Sequence, residues 1–476
     1  MIQNTQRRQI KNWGNTRQVS VPVLRPENIA HIQLPAEGTI LCRGQGRSYG
    51  DTALNSTGVT LSTERLNRFI AFDSDRGELT AEAGVTLQDL LKTFVPKGWF
   101  PKVTPGTQAV SLGGCVAGNV HGKNHFRYGS FGDHVSQLTL LTSDGELLAC
   151  SPEQRSELFW ATVGGLGLTG IIVDVTLQLR SIETAYCQLQ QTSAQDLETV
   201  LHSLAQASEK YEYNVAWING FAKNIGRGII MSADHLPSAN FYSSTHSTAH
   251  EVSGSDLYAH HYLASRGRSF VAKKTLLSTP LHIKPQQQFP ILFPLISDVF
   301  VKRFNQLYYA LKNRQQQTQI IPYHQFFYPL DKITNWNRLY GRKGFIHYQC
   351  VIPDQTTLPA FQLILQHLTQ QDHRPYLTVI KRFGNKHSRY LSFPLPGYTL
   401  AMDLPNSQHL GGILNEIDAI VLQHQGRINL VKDSRLPAKQ LALMYPELAE
   451  WNKIKNHHDP ARRFHSDLSE RLGLGS

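Results

Sequence analysis

Residues 43–51 read Arg43-Gly-Gln-Gly-Arg47-Ser-Tyr49-Gly-Asp51, directly after the apolar run Thr39-Ile-Leu-Cys42. A strand emptying into a glycine-rich loop raises the question of a dinucleotide fold. A Rossmann fingerprint needs G-x-G-x-x-G opening into a helix. Here the glycines fall as G-x-G-x-x-x-G, and the following DTALNSTGVTLS has the pattern of a turn and a strand. The G-x-x-x-x-G-K-[ST] of a P-loop is also missing. What survives is a loop with many free backbone N–H groups, flanked by Arg43 and Arg47, which can cradle a pyrophosphate. A plain turn is the competing reading.

Two more glycine clusters lie downstream. In TPGTQAVSLGGCVAGNVH (104–121), Gly113, Gly114, Ala117 and Gly118 let backbone approach a ligand closely. VGGLGLTG (163–170) sits between an expected helix and an expected strand. Three such loops in one N-terminal unit are more specific than any one of them. His121 and His125 are spaced H-x-x-x-H, but a zincin needs H-E-x-x-H on a helix, with the Glu as base. The interior here is Gly122-Lys123-Asn124, so no carboxylate is present, glycine disfavours the helix and Lys123 repels a cation. No metal is expected. His121, beside the glycines, is the active-site candidate, while His125 and His134 are expected to hold the loop in shape. Late in the chain, TVIKRFG puts Lys381 inside a strand and RINLVKDSR puts Lys432 at a strand end. Either lysine would favour an anion if it faced a pocket, though a strand-end lysine facing water fits the pattern equally well.

The 476 residues are too many for one ordinary core, and 41% hydrophobic with 17% charged is a globular composition. The net charge of +11 suits an anionic ligand or surface, but the basic residues are scattered, with no run that marks nucleic-acid binding. Five cysteines without C-x-x-C read as reduced core residues. The polar start MIQNTQRRQIKNWGNT has no apolar core of a signal peptide. FPILFPLISDVFV (289–301) is too short to span a bilayer and is broken by proline, leaving a core segment or a loop that touches lipid. The expected location is cytoplasmic or peripheral to a membrane.

Hydrophobic patterning divides the chain. Residues 1–185 read as strands and glycine turns, with a helix over TLQDLLKTF capped by Thr86 and a hairpin around Ser143-Asp144-Gly145. From about residue 185 the pattern changes to a second unit, and roughly the last 40 residues read as short helices. Residues 235–290 have little periodicity and read as long loops. From 345 to 433 the order β-α-β-β-α-β suggests a sheet with helices on one face.

The set GRSYGD, TPGT, HGKNH, SFG-x-H, ELFWATVGG-x-GLTGII, VKDSR and the terminal F-x-SDL-x-x-RL resembles the vanillyl-alcohol-oxidase (p-cresol methylhydroxylase-type) flavoproteins. Within that family it is similar to the branch acting on lipid-linked ribose. The resemblance runs from Trp13 to Leu472 and is weakest across 190–320. It implies an α+β, two-domain fold. Residues 1–185, with 427–476 returning to them, would bind FAD, and 186–426 would build a substrate domain on an antiparallel sheet. By matching motifs, FAD would be held by Arg43, Gly44, Gln45, Gly46, Arg47, Ser48, Tyr49, Gly50, Gly106, Thr107, Ser111, Gly113, Gly114, Gly118, Asn119, His121, Val173 and Asn429. Some relatives link FAD to a histidine in the first loop. Arg47-Ser48-Tyr49 offers none, so non-covalent FAD is expected.

The resemblance further implies oxidation of the 2′-hydroxyl of a polyprenyl-phosphoryl-β-D-ribose to a ketone. That is the first half of an epimerisation to an arabinose lipid for cell-wall arabinan. A short-chain keto-sugar reductase would finish it, and oxygen or a quinone would accept the electrons. Tyr49, His121, Lys381 and Lys432 are the implied catalytic residues, with the identity of the base open. Lys123, Phe383, Thr399, Ala401 and Lys432 are the implied substrate contacts. Ala401, Thr399 and Asn429 stand where members of that branch carry cysteine, asparagine and tyrosine, which leaves the sugar and lipid open. The alternatives are a flavin oxidase of a soluble sugar, aldonolactone or polyol, and a non-enzymatic basic lipid- or nucleic-acid-binding protein. The His-Trp-x-Lys of aldonolactone oxidases is missing from the chain.

Overall fold

A computed structural model describes residues 6–221, 225–240, 296–314, 318–385 and 389–475. Two sheets are built from the N-terminal unit. The first contains β1 (Gln6–Lys11), β2 (Gln18–Leu24), β3 (Ile40–Arg43) and β4 (Val59–Ser62) in the order β1-β2-β4-β3. The second contains β5 (Phe69–Asp73), β6 (Glu78–Glu82), β8 (Val135–Leu141), β9 (Leu147–Cys150) and β10 (Ile171–Ser181), with β7 (Trp99–Pro101) also paired to β10. The helix Leu87–Phe94 starts at a Thr86–Asp89 capping box and buries Leu87, Leu90, Leu91 and Phe94. The hairpin β8–β9 lies where Ser143-Asp144-Gly145 marked its turn.

A third sheet has eight strands, all paired antiparallel. These are β11 (Tyr186–Ala194), β12 (Tyr213–Ile218), β13 (Gly228–His235), β14 (Gln319–Pro322), β15 (Phe345–Pro353), β16 (Leu377–Phe383), β17 (Gly397–Pro405) and β18 (Arg427–Ile428), and the architecture is α+β. Side chains alternate across such a strand, so each strand carries two programmes. Tyr348, Cys350 and Ile352 of β15, Ile380 of β16, and Leu400, Met402 and Leu404 of β17 join one core with the helices Leu197–Lys210, Thr357–Gln370 and Leu410–Gln423. The residues between them face the other way. The register pairs His347 with Asp403, Gln349 with Ala401, and Lys381 with Thr399, which puts these residues on the opposite face.

The β-α-β-β-α-β order from Phe345 to Ile428 is present, but the strand expected over 427–433 stops at Ile428. Asn429 begins a turn in which the Lys432 and Asp433 N–H groups donate to the Asn429 carbonyl, at 3.0 Å each. Strand β13 and the helix Asp298–Arg314 had no counterpart in the sequence reading. The loop expected over 235–290 falls mostly on 241–290, outside the described residues, as do residues 289–295 of the apolar stretch.

The C-terminal segment returns to the N-terminal sheet. The Ile40 N–H donates to the Arg463 carbonyl at 2.7 Å, and the His465 N–H to the Ile40 carbonyl at 3.0 Å. Arg471 then clamps two buried carboxylates, reaching Asp51 at 2.9 Å and Asp433 at 3.0 Å; their side chains are 1% and 3% exposed. This joins the end of the first glycine loop to the turn that carries Lys432. Removing the cation strands two buried charges, so Arg471→Ala should destabilise the protein by about 3–5 kcal/mol, seen as a lower urea midpoint. Arg471→Lys, which keeps one charge but loses the fork, should fall between the two.

Candidate active site

The first glycine loop leaves β3 and is held from both sides. The Trp13 N–H donates to the Ser48 carbonyl at 2.9 Å, and the Asn12 amide to the Tyr49 carbonyl at 2.8 Å. On the other side a Cβ at Gly50 would lie 1.6 Å from the Asp433 carbonyl oxygen, so only glycine allows that contact. A Cβ at Gly44 would meet the Ser111 hydroxyl at 2.1 Å. Ser111 caps the short helix Leu112–Ala117 and so fixes the second loop beside the first. The third loop is tied to that helix, with Gly164 N–H donating to Val116 and Leu166 N–H to Ala117, each at 2.9 Å.

These loops and the polar face of the eight-stranded sheet enclose one cavity of about 770 Å³. Of the expected cofactor residues, Arg43 to Tyr49, Gly106, Thr107, Ser111, Gly113, Gly114, Gly118, His121 and Asn429 line it. Lys123, Lys381, Ala401 and Lys432 line it as well. Five expected residues do not. Gly50 is pressed against Asp433. Asn119 bridges Ser392 and the Gly132 N–H. Val173 lies in a core with Ile40, Leu61 and Phe464, while its neighbour Ile172 reaches the cavity. Phe383 packs behind His121 and His125, at ring distances of 4.7 and 4.4 Å. Thr399 is fully buried one layer behind Gln349. His125 accepts the Gly384 N–H and His134 contacts the Tyr128 carbonyl, so both brace the loop.

At the meeting point of loops and sheet, His121 lies between Lys381 (Nζ to Nδ1, 3.3 Å) and Gln349 (Nε2 to Nε2, 3.1 Å). A chain of one-way bonds sets its tautomer. The Val431 N–H donates to Asn429 Oδ1, so the Asn429 amide nitrogen donates to Gln349 Oε1. Gln349 must then present N–H to Thr399 and to His121 Nε2. Nε2 of His121 is therefore an acceptor, and the neutral ring carries its proton on Nδ1; Lys381 Nζ can accept from that N–H only as the neutral amine, the form that burial favours. Burial, together with the charges of Lys381, His125 and Lys432, holds the His121 pKa well below the usual histidine range.

The sequence reading missed the neighbouring group. His347 lines the cavity, stacks on Tyr49 at 4.4 Å and bonds through Nδ1 to Asp403. Tyr340 donates to the other Asp403 oxygen at 3.2 Å. Lys432 Nζ sits 4.0 Å from the Tyr49 ring centroid. The signal was available: in GFIHYQCVIP and YTLAMDLP, His347, Gln349 and Asp403 are polar residues on one face of otherwise apolar strands.

The charge balance is one-sided. Arg43, Arg47, Lys123, Lys312, Lys332, Lys381 and Lys432 line the cavity, while Asp403 is the one acidic residue among its described lining. Burial pushes Lys381 down to about 8. Burial and Lys381 push Lys432 down to about 7, against a smaller opposing effect of Asp403. Lys123 falls to about 7 for the same first cause. Such a site calls for an anion. A Cβ at Gly106 would point into open space, and the loops around it leave room for a pyrophosphate and a flat ring. The donor set and the space fit FAD. Arg43, Arg47 and the loop N–H groups would take the phosphates, with Tyr49, His121, Asn429 and Lys432 at the ring end.

The comparisons agree with this geometry. A family profile described as an FAD binding domain matches residues 30–151. The chain is 34% identical over 490 residues to decaprenylphosphoryl-beta-D-ribose oxidase of Mycolicibacterium smegmatis, covering 99% of this chain and 98% of that protein. It is 30% identical to an uncharacterized protein of Streptomyces coelicolor, over 82% of this chain and all of that protein. Similarity to L-gulonolactone oxidase of Bos taurus, at 31%, covers only 36% of this chain and 38% of that one.

A buried lysine with a depressed pKa costs stability while it is charged in both states, and the cost vanishes once both states are neutral. For Lys432 that window runs from about 7, its folded value, to about 10.4, the value of an unfolded lysine. Lys432→Met should therefore stabilise the cofactor-stripped protein by a few kcal/mol below pH 7. The gain should fade as pH rises through the window, and thermal unfolding at a series of pH values measures it.

Proposed function

The chain belongs to the decaprenylphosphoryl-β-D-ribose oxidase family of FAD-dependent oxidoreductases, and from that premise we propose that it oxidises the 2′-hydroxyl of a polyprenyl-phosphoryl-β-D-ribose to the ketone. The observation that carries the reading is the cationic cavity whose lysines meet the glycine loops at Tyr49 and His121. Bound FAD supplies the two-electron acceptor. Residues 1–185 with 427–476 hold it, and 186–426 receive the sugar. Lys381 and Lys432 favour negative charge on the ring and on the substrate oxygen, and Lys123 favours the substrate phosphate.

FAD is held without a covalent bond. The first loop has no histidine, and both ring nitrogens of His121 are engaged. Burial pushes the Cys42 thiol up to about 12, away from reactive thiolate. Denaturation should release the whole of the FAD into the supernatant. A short-chain reductase completes the epimerisation, and a quinone or oxygen reoxidises the flavin.

No helix among the described residues is long and apolar enough to cross a membrane. The lipid reaches the site along the helix Asp298–Arg314. Phe300, Phe304, Leu307 and Leu311 are exposed at helical spacing, and Phe304, Tyr308 and Lys312 of the same helix line the cavity. This stripe lies on the membrane surface, which makes the protein peripheral. The double variant Leu307→Ser/Leu311→Ser should lose co-sedimentation with anionic vesicles while keeping bound FAD.

Anaerobic addition of the lipid-linked ribose should bleach the visible flavin band, and L-gulonolactone or an alditol should not. Bleaching by a soluble lactone or polyol with no response to the lipid would move the assignment to the soluble-sugar oxidases. A colourless protein that takes up no FAD would remove it from flavin enzymes.

A further inference from the structure

The reaction needs a group that takes the hydroxyl proton, and the cavity holds several candidates. His121 has no lone pair to spare, because Gln349 occupies Nε2 and the proton lies on Nδ1. Lys432 Nζ lies 4.0 Å from the Tyr49 ring centroid, a placement that favours its charged form, and Lys381 Nζ lies against His121 Nδ1. His347 differs from all three. Its Nδ1 is bonded to Asp403, whose side chain is 1% exposed and is held on its other oxygen by Tyr340. With the proton on Nδ1, the lone pair lies on Nε2. His347 lines the cavity and its side chain is 13% exposed. Cross-strand register fixes the pair, since His347 of β15 lies directly opposite Asp403 of β17.

We propose that His347, oriented by Asp403, is the base that takes the hydroxyl proton of the substrate alcohol. The inference rests on the alcohol-oxidising reading above. In the step, the O–H bond breaks and its proton bonds to Nε2 of His347. The adjacent C–H bond breaks, and its hydrogen leaves with the electron pair as hydride to the oxidised flavin. The C–O bond becomes C=O, and the flavin gains two electrons. Asp403 stabilises the imidazolium that results, the role a buried carboxylate plays beside any histidine base. The proton then passes to solvent before the next turnover.

Burial holds His347 below the usual histidine pKa, with Lys432 and Lys381 acting in the same direction and Asp403 opposing them. The ring is thus neutral and able to act as a base at neutral pH. The groups facing it are Asp403 on β17, Lys381 on β16, Lys432 in the turn after β18, Tyr49 in the glycine loop and Tyr340.

Stopped-flow bleaching of the FAD-loaded protein across pH tests this, using whichever alcohol bleaches the wild type. A polyol in place of the lipid-linked ribose would overturn the substrate reading and leave this test intact. His347→Gln should slow flavin reduction by about 10²-fold or more and abolish the acid limb of the rate profile. Asp403→Asn should slow it as well and move the acid limb to lower pH, since a charge that raises the histidine pKa is lost. Wild-type reduction rate and an unchanged acid limb in His347→Gln would overturn the proposal. A second readout needs no substrate. Imidazole ¹⁵N shifts should show His347 protonated on Nδ1 and bare on Nε2, and a ring protonated on Nε2 would equally overturn it.

Discussion

The structure is organised around unbalanced positive charge. Seven lysines and arginines line one cavity whose described lining offers Asp403 as its only carboxylate. Burying a charge without a partner is costly, and lysines respond by lowering their pKa. Lys381 and Lys432 do so in the structure. An anionic cofactor and an anionic substrate relieve that cost, so the apparent defect in stability is the affinity of the site. The same logic explains the glycines, because phosphate oxygens need backbone N–H groups that no side chain shields.

Everything else serves to hold that charge in place. The glycine loop is pinned by Trp13 and Asn12 on one side and by Asp433 on the other. Arg471 ties Asp51 to Asp433, so the last helix of the chain determines where Lys432 sits. The sheet does the complementary work. Its apolar face is locked to three helices, and that packing sets the angle at which Lys381, Gln349 and His347 meet the loops.

Much of this was legible in the sequence, for identifiable reasons. The spacing in RGQGRSYGD excluded a Rossmann turn because a helix must follow the third glycine, and β4 follows instead. The carboxylate-free HGKNH excluded a zincin. Lys381 was placed inside a strand by TVIKRFG, and its facing the pocket was implied only by the family resemblance. Lys432 was placed one element out, since the strand ends at Ile428 and a turn carries the lysine. Strand β13 was lost because GIIMSADH mixes an apolar run with polar residues whose partners, in β11 and β12, only the fold brings together. His347 and Asp403 were overlooked for a related reason. They lie in separate strands 56 residues apart, and only the antiparallel register makes them a pair. Val173 was misplaced by one residue, and in a strand one residue is the difference between core and cavity.

The central claim is that this cavity removes hydride from one carbon of a lipid-linked sugar. The most direct measurement is mass spectrometry of the product from polyprenyl-phosphoryl ribose deuterated at C2′. Complete loss of the deuterium with formation of a 2′-ketone is the predicted result. A converted sugar that keeps the label at C2′, or a lipid recovered unchanged beside fully oxidised flavin, would contradict it.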